Sequence, residues 1–273
     1  MDLSKKVSTA ERRANRERYF KEQDYTTVKY VVPYIEKTKK LDTVRRVLEI
    51  GCGEGGNLRY FISAGCDVVG IDLNERQIER AAEYLDKYCD NPNNVQLIHR
   101  DIYEINPSEL GRFDVIMMRD VIEHIPNQER FLAFLHQFIK EDGVIFFGFP
   151  PWHMPFGGHQ QGCVSLLRKV PYFHILPAAA YAWILKLFGE SEQRISSLLQ
   201  TKSTGISIER FRRIVKATQW DVADESLYLI NPNYDVKFKL EPRKQLAIFT
   251  LLPGIRNFVS TCAYYLIKPG EKV

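Results

Sequence analysis

The chain has few cysteines, no long uninterrupted apolar run and no large excess of one charge sign, and each shortage excludes a class of protein. Its five cysteines are odd in number and show no C-x-x-C spacing, so they indicate neither a disulfide framework nor a structural zinc site. The first residues, MDLSKKVSTAERR, lack the apolar core of a signal peptide. We therefore expect a reducing, cytoplasmic location.

Charge is close to balance, which argues against a protein that binds polyanions. The net charge is +4, and residues 1–46 contain 13 Lys and Arg against 7 Asp and Glu. This basic part includes ERRANRERYFKEQ, the mixed composition of a solvated helix, and residues 9–40 show a helical spacing of apolar side chains that Pro33 breaks or restarts. We expect no nucleic-acid partner, and we expect Tyr19 and Tyr25 to pack this helix.

The most apolar part of the chain, residues 164–188, is too interrupted to cross a membrane. A membrane-spanning helix needs about 20 continuous apolar residues, whereas Pro171, Pro177 and several basic side chains divide this segment. A helical lid or an interfacial helix is expected instead. Its aromatic content leaves three uses open: packing against a partner subunit in a dimer, shielding an apolar small molecule, and contact with a membrane surface.

What the sequence does contain is a regular alternation of short apolar runs and helical segments. VRRVLEIG, CDVVGIDL, NVQLIHRD, FDVIMMRD and VIFFGFP are typical of strands, and NERQIERAAEYLDKYC and ERFLAFLHQFIK of the helices between them, the second ending at Asp142-Gly143. Such alternation predicts a parallel sheet covered on both faces. Further along, SIERFRRIVKATQW indicates a helix, and WDVADESLYLINPNYDVKF and FVSTCAYYLIKP indicate two returning strands.

These elements predict an α/β fold, a Rossmann-like, doubly wound and mainly parallel sheet of seven strands with a helical insertion after strand five. Residues 1–43 are expected to form an N-terminal helical cap and residues 44–150 the ligand-binding core. Residues 151–205 are expected to form a loop and an apolar helical lid. Residues 206–273 would then supply the helix and strands that complete the sheet.

Gly51, Gly53 and Gly56 satisfy the G-x-G-x-x-G pattern of a dinucleotide-binding turn, but Glu49 argues against that ligand. A carboxylate at the end of the first strand repels a pyrophosphate and attracts a cationic amino group. The turn therefore favours S-adenosylmethionine (SAM), which carries an α-amino acid and no phosphate. Asp72, 21 positions after Gly51, ends the second strand, where a carboxylate can accept from both ribose hydroxyls.

The next two strands end in further polar residues. Asp101 is placed to accept from an adenine amino group, with Ile102 against the ring. Arg119 and Asp120 end the fourth strand, at the rim where open α/β sheets bind their ligands.

The order E-x-G-x-G-x-G, VVGID, HRDI and FDVIMMRDVIEHI closely resembles the class I SAM-dependent methyltransferases. Within them it looks like the small-molecule branch that includes the ubiquinone-biosynthesis O-methyltransferases. The resemblance is strong over residues 44–150 and weak over the terminal strand pair. It implies a cofactor site in which the methionyl end contacts the glycine-rich turn, the ribose and adenine contact the next two strand ends, and Arg119 lies along the cofactor by its backbone. The implied residues are Glu49, Gly51, Cys52, Gly53, Gly55, Asp72, Leu73, Asp101, Ile102 and Arg119.

The candidate general bases lie at the carboxyl ends of strands four and five. His124 follows the fourth strand, and Asp120, Glu123 and His124 share a face if a helix begins there. That face could hold a divalent cation, by analogy with metal-assisted O-methyltransferases, but a sulfonium methyl needs no metal to leave, and we predict no metal site. Alternatively, His124 only caps or bonds a loop.

A second pair of histidines, His153 and His159, lies in the loop PPWHMPFGGHQ after the fifth strand. An imidazole titrates near neutral pH, which suits a general base. We favour His159, because the glycines beside it allow close approach of a substrate. The alternative is a rigid loop with solvent-facing histidines.

The sequence thus predicts a SAM-dependent methyltransferase that acts on a small molecule, with oxygen the favoured acceptor. Two other functions stay open, a SAM-binding scaffold or regulatory protein without activity and an NAD-dependent oxidoreductase, which Glu49 disfavours. A nucleic-acid methyltransferase is weaker still, because Arg119-Asp120-Val121 stands where an N-P-P-Y-type motif would be expected.

Overall fold

A computed structural model describes residues 15–90 and 94–270. Strands are numbered in chain order. They are β1 (Arg46–Ile50), β2 (Asp67–Asp72), β3 (Val95–His99), β4 (Phe113–Arg119), β5 (Ile139–Phe149), β6 (Trp220–Ile230), β7 (Arg243–Lys244) and β8 (Cys262–Pro269).

The helices are numbered in the same way. They are α1 (Arg16–Thr26), α2 (Val32–Ile35), α3 (Arg59–Ser63), α4 (Glu75–Tyr88), α5 (Pro107–Leu110), α6 (Gln128–Leu135), α7 (Ala178–Leu187), α8 (Glu192–Thr204), α9 (Ile208–Ala217), α10 (Asn233–Phe238), α11 (Ala247–Thr250) and α12 (Ile255–Val259).

All eight strands belong to one sheet in the order β3-β2-β1-β4-β5-β8-β6-β7. The first five are parallel, β8 runs antiparallel to β5 and β6, and β7 is antiparallel to β6. The predicted Rossmann-like class is confirmed, while the predicted count of seven strands is one too few. The additional strand is β7, whose two residues are too short to leave a periodic signal in the sequence.

Helices cover both faces of the sheet because its central strands are apolar on both sides. Strand β4 is buried over all of its length except Arg119. One core cluster contains Leu48, Ile116 and Phe147, and the other contains Val47, Val115 and Phe146. Adjacent residues of one strand thus point into opposite layers, and the carboxyl ends of the parallel strands meet at one edge.

Two predicted element ends are wrong. Helix α6 stops at Leu135, and β5 already begins at Ile139, because Phe138 and Ile139 are buried in the core and Phe113 donates its N–H to the Phe138 carbonyl. The segment NPNYDVKF is not strand but helix α10. Its turn begins when the Asn231 side chain accepts from the Asn233 N–H, and the φ of Pro232, −49°, is already helical.

The N-terminal helical segment is confirmed for residues 16–35, whereas residues 36–40 form a turn and are not helical. Residues 9–14 lie outside the described part. Helix α1 passes through a π-helical turn, Thr27–Val31, into α2. Pro33 sits in the first turn of α2, where a missing N–H costs nothing. The predicted break at Pro33 is therefore a local widening of the helix.

The apolar insertion folds on its own small core. Tyr181 and Leu185 of α7 pack against Ile195 and Leu198 of α8, together with Phe173. Within the described residues, no helix is both long enough and apolar enough to cross a membrane.

The Asp114 side chain on β4 links β4 to the start of β1, and its replacement tests how much this link stabilises the sheet. Its Oδ2 accepts from the N–H groups of Arg45 and Arg46, at 3.0 and 2.9 Å, and its Oδ1 lies 2.9 Å from Lys140 Nζ. Burial opposes the charge, but these donors together lower the pKa of the carboxyl. We expect Asp114→Ala to lower the free energy of unfolding by about 2–3 kcal/mol in urea titrations at pH 7.

Because the folded-state pKa is lowered, this stabilisation is present above the pKa of an unfolded aspartate, about 3.9, and is lost as the pH falls through the folded value. The matched control is Asp86→Ala on the exposed face of α4. Equal effects of the two substitutions would contradict the assignment.

Candidate active site

The glycine-rich turn follows β1 and lies against the end of β2. Gly51 and Cys52 both donate their N–H to the Ile71 carbonyl, at 2.8 and 3.1 Å. Gly51 has a φ of 73°, and a Cβ there would lie 2.5 Å from a Val121 methyl group. Glycine at this position is therefore required by conformation and by space.

Glu49 is fully buried beneath this turn. Its Oε1 accepts from Asn57 Nδ2 at 2.6 Å, whereas its Oε2 has no hydrogen-bond partner among the described residues. Burial raises the pKa of Glu49 to about 8, although Asn57 and Arg119 act in the opposite direction. A buried carboxyl with one open oxygen fits a cationic amino group and not a pyrophosphate.

Asn57 orients Glu49, a role that no pattern in the sequence indicated. The Asn57 Oδ1 accepts from Thr27 Oγ1 at 2.7 Å and from an Arg119 guanidinium nitrogen at 3.1 Å. These two donors fix the amide so that its Nδ2 must face Glu49. Thr27 begins the π-helical turn, so the widened helix supplies one support of the site.

Helix α1 closes over the turn. A Cβ at Gly56 would lie 2.3 Å from the Phe20 carbonyl oxygen, so glycine permits the close approach of the two backbones. Arg16 Nε donates to Glu54 Oε1 at 2.6 Å, and Glu54 is fully buried. This ion pair ties the amino end of α1 to the middle of the turn.

The other predicted cofactor residues line the same edge of the sheet. Asp72 accepts from the Gly53 N–H at 2.9 Å and from the Asn74 N–H at 2.8 Å, and Leu73 beside it is exposed. Asp101 accepts from the Tyr103 N–H and caps a short helical turn that begins at buried Ile102.

Three of the predicted cofactor residues contribute in different ways. Cys52 is buried, and its sulfur lies 3.0 Å from where a Cβ of Gly70 would be, so only its backbone faces the turn. Gly55 has a φ of 79°, and a Cβ there would meet Leu85 and Ala81 of α4. Glycine at this position thus lets α4 pack against the turn. Arg119 contributes its side chain to the Asn57 network, beyond the backbone contact expected from the resemblance.

A cavity of about 500 Å³ opens beyond the ends of β4 and β5. Asp120 enters it directly after β4 with a φ of 56°, held by its N–H to the Gly148 carbonyl at 2.7 Å. Helix α10, which was predicted to be a strand, supplies part of one wall of this cavity. The lining residues include Tyr19, Glu123, Met154, Phe156, His159 and Tyr234.

Two of the three predicted histidines are adjacent in space. The rings of His124 and His159 are 5.0 Å apart, and both line a second cavity of about 570 Å³, while His159 also lines the first. His153 lies elsewhere, against Phe258 at 5.2 Å between ring centres, and lines neither cavity. The structure therefore separates His153 from the other two candidates.

Glu123 completes this cluster. Neither of its carboxyl oxygens has a hydrogen-bond partner in the described parts of the chain, and burial, followed by the charge of Asp120, raises its pKa well above the usual range. Partial desolvation lowers the pKa of His124, although Asp120 opposes this shift. Ligand atoms of Glu123, His124 and His159 can come within 4.8 Å of one another, a spacing that can also hold a cation.

The fold and the buried acid beneath a glycine-rich turn define a Rossmann-like protein for a small ligand that carries an amino group. A sequence model of the methyltransferase domain family matches residues 18–189, more than half of the chain. The chain therefore belongs to this methyltransferase family, and the predicted resemblance is confirmed.

Similar proteins agree with this assignment. A ubiquinone biosynthesis O-methyltransferase of Aromatoleum aromaticum is 31% identical over 103 residues, which cover 38% of this chain and 43% of that protein. An uncharacterised protein of Haemophilus influenzae is 29% identical over 104 residues, which cover 38% and 41%. The chain thus spans less than half the length of the curated relatives it matches.

Solved structures show the same fold at low identity. A putative sarcosine dimethylglycine methyltransferase of Galdieria sulphuraria has a TM-score of 0.58 and 15% identity over 94% of this chain and 89% of that one. The magnesium protoporphyrin IX methyltransferase of Synechocystis, solved with bound S-adenosylhomocysteine (SAH), has a TM-score of 0.55 and 16% identity over 97% and 89%.

We expect Glu49→Gln to weaken SAH binding and to abolish the proton release that accompanies binding to the wild-type protein. With a pKa of about 8, Glu49 is mostly protonated at pH 7 in the free protein, and pairing with a cationic amino group requires the carboxylate. Binding to the wild-type protein should therefore release a proton and tighten as the pH rises from 6 toward 8. Titration calorimetry in two buffers of different ionisation enthalpy measures this release.

Glutamine keeps the Asn57 contact and the volume, so the folded protein should survive the substitution. We expect affinity to fall about tenfold or more. Glu190→Gln is the matched control, because Glu190 is also buried but contacts the N–H groups of Val164 and Ser165 in the insertion. An unchanged proton release in Glu49→Gln would overturn the assignment of the titrating group.

Proposed function

We propose that the protein transfers a methyl group from SAM to a small molecule, with oxygen as the acceptor atom. The observation that carries this proposal is the open Oε2 of buried Glu49, beside the glycine-rich turn and near the carboxyl end of β1. A buried carboxyl left without a partner is costly unless a ligand completes it. The five cysteines are buried and form no disulfide among the described residues, which supports the expected cytoplasmic location.

The residues present fit SAM. Glu49 would hold the amino group, Asp72 the ribose and Asp101 the adenine. When bound there, SAM would supply a methyl group carried on a sulfonium. Transfer of that methyl group needs no assistance from a metal. The protein then has two tasks, which are to orient the acceptor and to remove its proton.

His159 is the proposed general base. It lines the cavity together with Asp120 and Glu123, and its ring meets that of His124. The proton of an acceptor hydroxyl passes to an imidazole of this pair. The lowered pKa of His124 favours the neutral form of that ring, which is the form that accepts a proton.

The acceptor is proposed to be an amphipathic small molecule. Met154, Phe156 and Tyr19 give the cavity apolar surface, whereas Asp120 and Asn231 give it polar points of attachment. A volume of about 500 Å³ suits a molecule of metabolite size.

Incubation of the purified protein with methyl-labelled SAM and a cell extract tests this proposal. Transfer of label to any small molecule supports it, and partition between organic and aqueous phases separates an apolar acceptor from a polar one. SAH binding without transfer would favour a scaffold without activity. A fluorescence change of NADH on mixing would favour an oxidoreductase.

His159→Ala and His124→Ala give a sharper test once an acceptor is known. We expect His159→Ala to lower turnover about a hundredfold or more, while SAH affinity stays within about twofold. His153→Ala is the matched control and should retain turnover, because it lies against Phe258 outside both cavities. Full turnover in both His159→Ala and His124→Ala would exclude a histidine base.

Adding the chelator EDTA to the turnover assay distinguishes proton transfer by the histidines from cation binding by Glu123, His124 and His159. Turnover that survives EDTA supports proton transfer by the histidines alone. Loss of turnover with EDTA and its recovery with Mg²⁺ would instead assign Glu123, His124 and His159 to a cation.

A further inference from the structure

Two segments outside the proposed active site present apolar side chains to solvent. One is residues 164–188 of the insertion, and the other is residues 246–258, which include α11 and α12. We name their shared exposed face the apolar surface. Its most exposed members are Val164, Leu166, Trp183, Leu187, Ile248 and Leu251, each at least 65% exposed.

The outward side of α7 shows that these apolar side chains are exposed on a packed helix and not at a frayed end of the chain. Tyr181 and Leu185 fill the small core of the insertion, whereas Trp183 and Leu187, four positions apart, point to solvent. The helix is therefore apolar on its outward side as well as on its packed side. A monomeric protein in water gains nothing from such a face.

The two segments are continuous. Tyr172 donates its hydroxyl to the Phe258 carbonyl at 3.2 Å, and together with Ile175, Leu176 and Pro177 they line an apolar groove of about 490 Å³. This groove lies at the amino end of α7. At its carboxyl end, Glu190 accepts from the Val164 N–H and so holds the start of the insertion beside the helix.

Charge identifies what covers the apolar surface. Residues 164–188 and 246–258 contain four Lys and Arg and no Asp or Glu, although acidic and basic residues nearly balance in the whole chain. Arg168 and Lys169 are exposed, and neither forms a salt bridge within the structure as described for 15–90 and 94–270.

The remaining charges near the surface are compensated within the chain. Lys186 pairs with Glu192 at 2.9 Å, and Arg256 pairs with Glu209 at 2.8 Å. The uncompensated charge is thus positive only. Two copies of the chain facing each other here would bring like charges together, whereas an anionic lipid surface would meet opposite charge and accept the apolar side chains.

We propose that the apolar surface docks the protein on anionic membranes as a peripheral contact. Trp183 and Tyr172 lie at the level of the lipid headgroups, Leu187, Ile248 and Leu251 enter the acyl boundary, and Arg168 and Lys169 pair with lipid phosphates. No helix crosses the bilayer in this arrangement.

Docking also brings the substrate cavity close to the lipid. Tyr172 donates its N–H to the Pro155 carbonyl at 2.6 Å, and the neighbours of Pro155, Met154 and Phe156, line the cavity beyond β4 and β5. An acceptor that resides in the bilayer would therefore reach the site through one loop. This consequence rests on the proposed function, whereas the docking itself does not.

Flotation of the full-length protein with vesicles tests the proposal. One set of vesicles is phosphatidylcholine alone, and the other is an equal mixture of phosphatidylcholine and phosphatidylglycerol. We expect binding to the anionic vesicles at low salt, and weakening in high salt, because salt screens the lysine and arginine contacts. No cofactor or acceptor is present, so the result is independent of whether the protein transfers methyl groups.

Trp183→Glu combined with Leu187→Glu should weaken vesicle binding about tenfold or more, since it places carboxylates in the acyl boundary. Val222→Glu is the matched control, because Val222 is also exposed but lies on β6 and away from the apolar surface. Arg168→Gln combined with Lys169→Gln should remove part of the preference for anionic lipid.

Three outcomes would overturn the proposal. One is equal binding to neutral and anionic vesicles. Another is a monomeric protein that binds neither kind of vesicle. The third is a dimer in light scattering that Trp183→Glu with Leu187→Glu dissociates, which would make the apolar surface an interface between two copies. Melting temperatures of all variants, measured beside the wild type, separate loss of docking from loss of folding.

Discussion

The buried carboxyl of Glu49 is the constraint around which this protein is organised. A charged or polar group with no exposure must be held by hydrogen bonds, and Glu49 receives one from Asn57 and leaves one oxygen open. Asn57 is in turn fixed by Thr27 and Arg119, so the π-helical turn after α1, the glycine-rich turn and the end of β4 all meet at one amide. A change in any of these elements alters the geometry that a ligand amino group meets.

The same edge of the sheet separates two chemical tasks. The ends of β1, β2 and the segment after β3 supply acids suited to an amino group, a ribose and an adenine. The ends of β4 and β5 supply Asp120, Glu123 and the pair His124 and His159, where burial raises the pKa of Glu123 well above its usual range. In the proposed function, cofactor binding and proton transfer therefore fall to different strand ends of one sheet.

The additions to this core extend its chemistry. Helix α10 closes the substrate cavity, and the insertion builds a second small core whose outer side is apolar and basic. Because the loop after β5 joins the cavity to that outer side, the insertion can serve both the substrate and the docking surface. A lid that faced only water would not need Trp183 and Leu187 on its exposed side.

The sequence by itself determined the parallel core, the family, the SAM-type turn with Glu49, and the strand-end acids, because continuous apolar runs and short-range spacing encode them directly. The tertiary structure decided what depends on residues far apart in the chain. Thr27 reaches Asn57, His159 meets His124 while His153 turns toward Phe258, and NPNYDVKF forms a helix where its spacing had indicated a strand. Such contacts follow from how the layers pack around the sheet, and local periodicity carries no record of that packing.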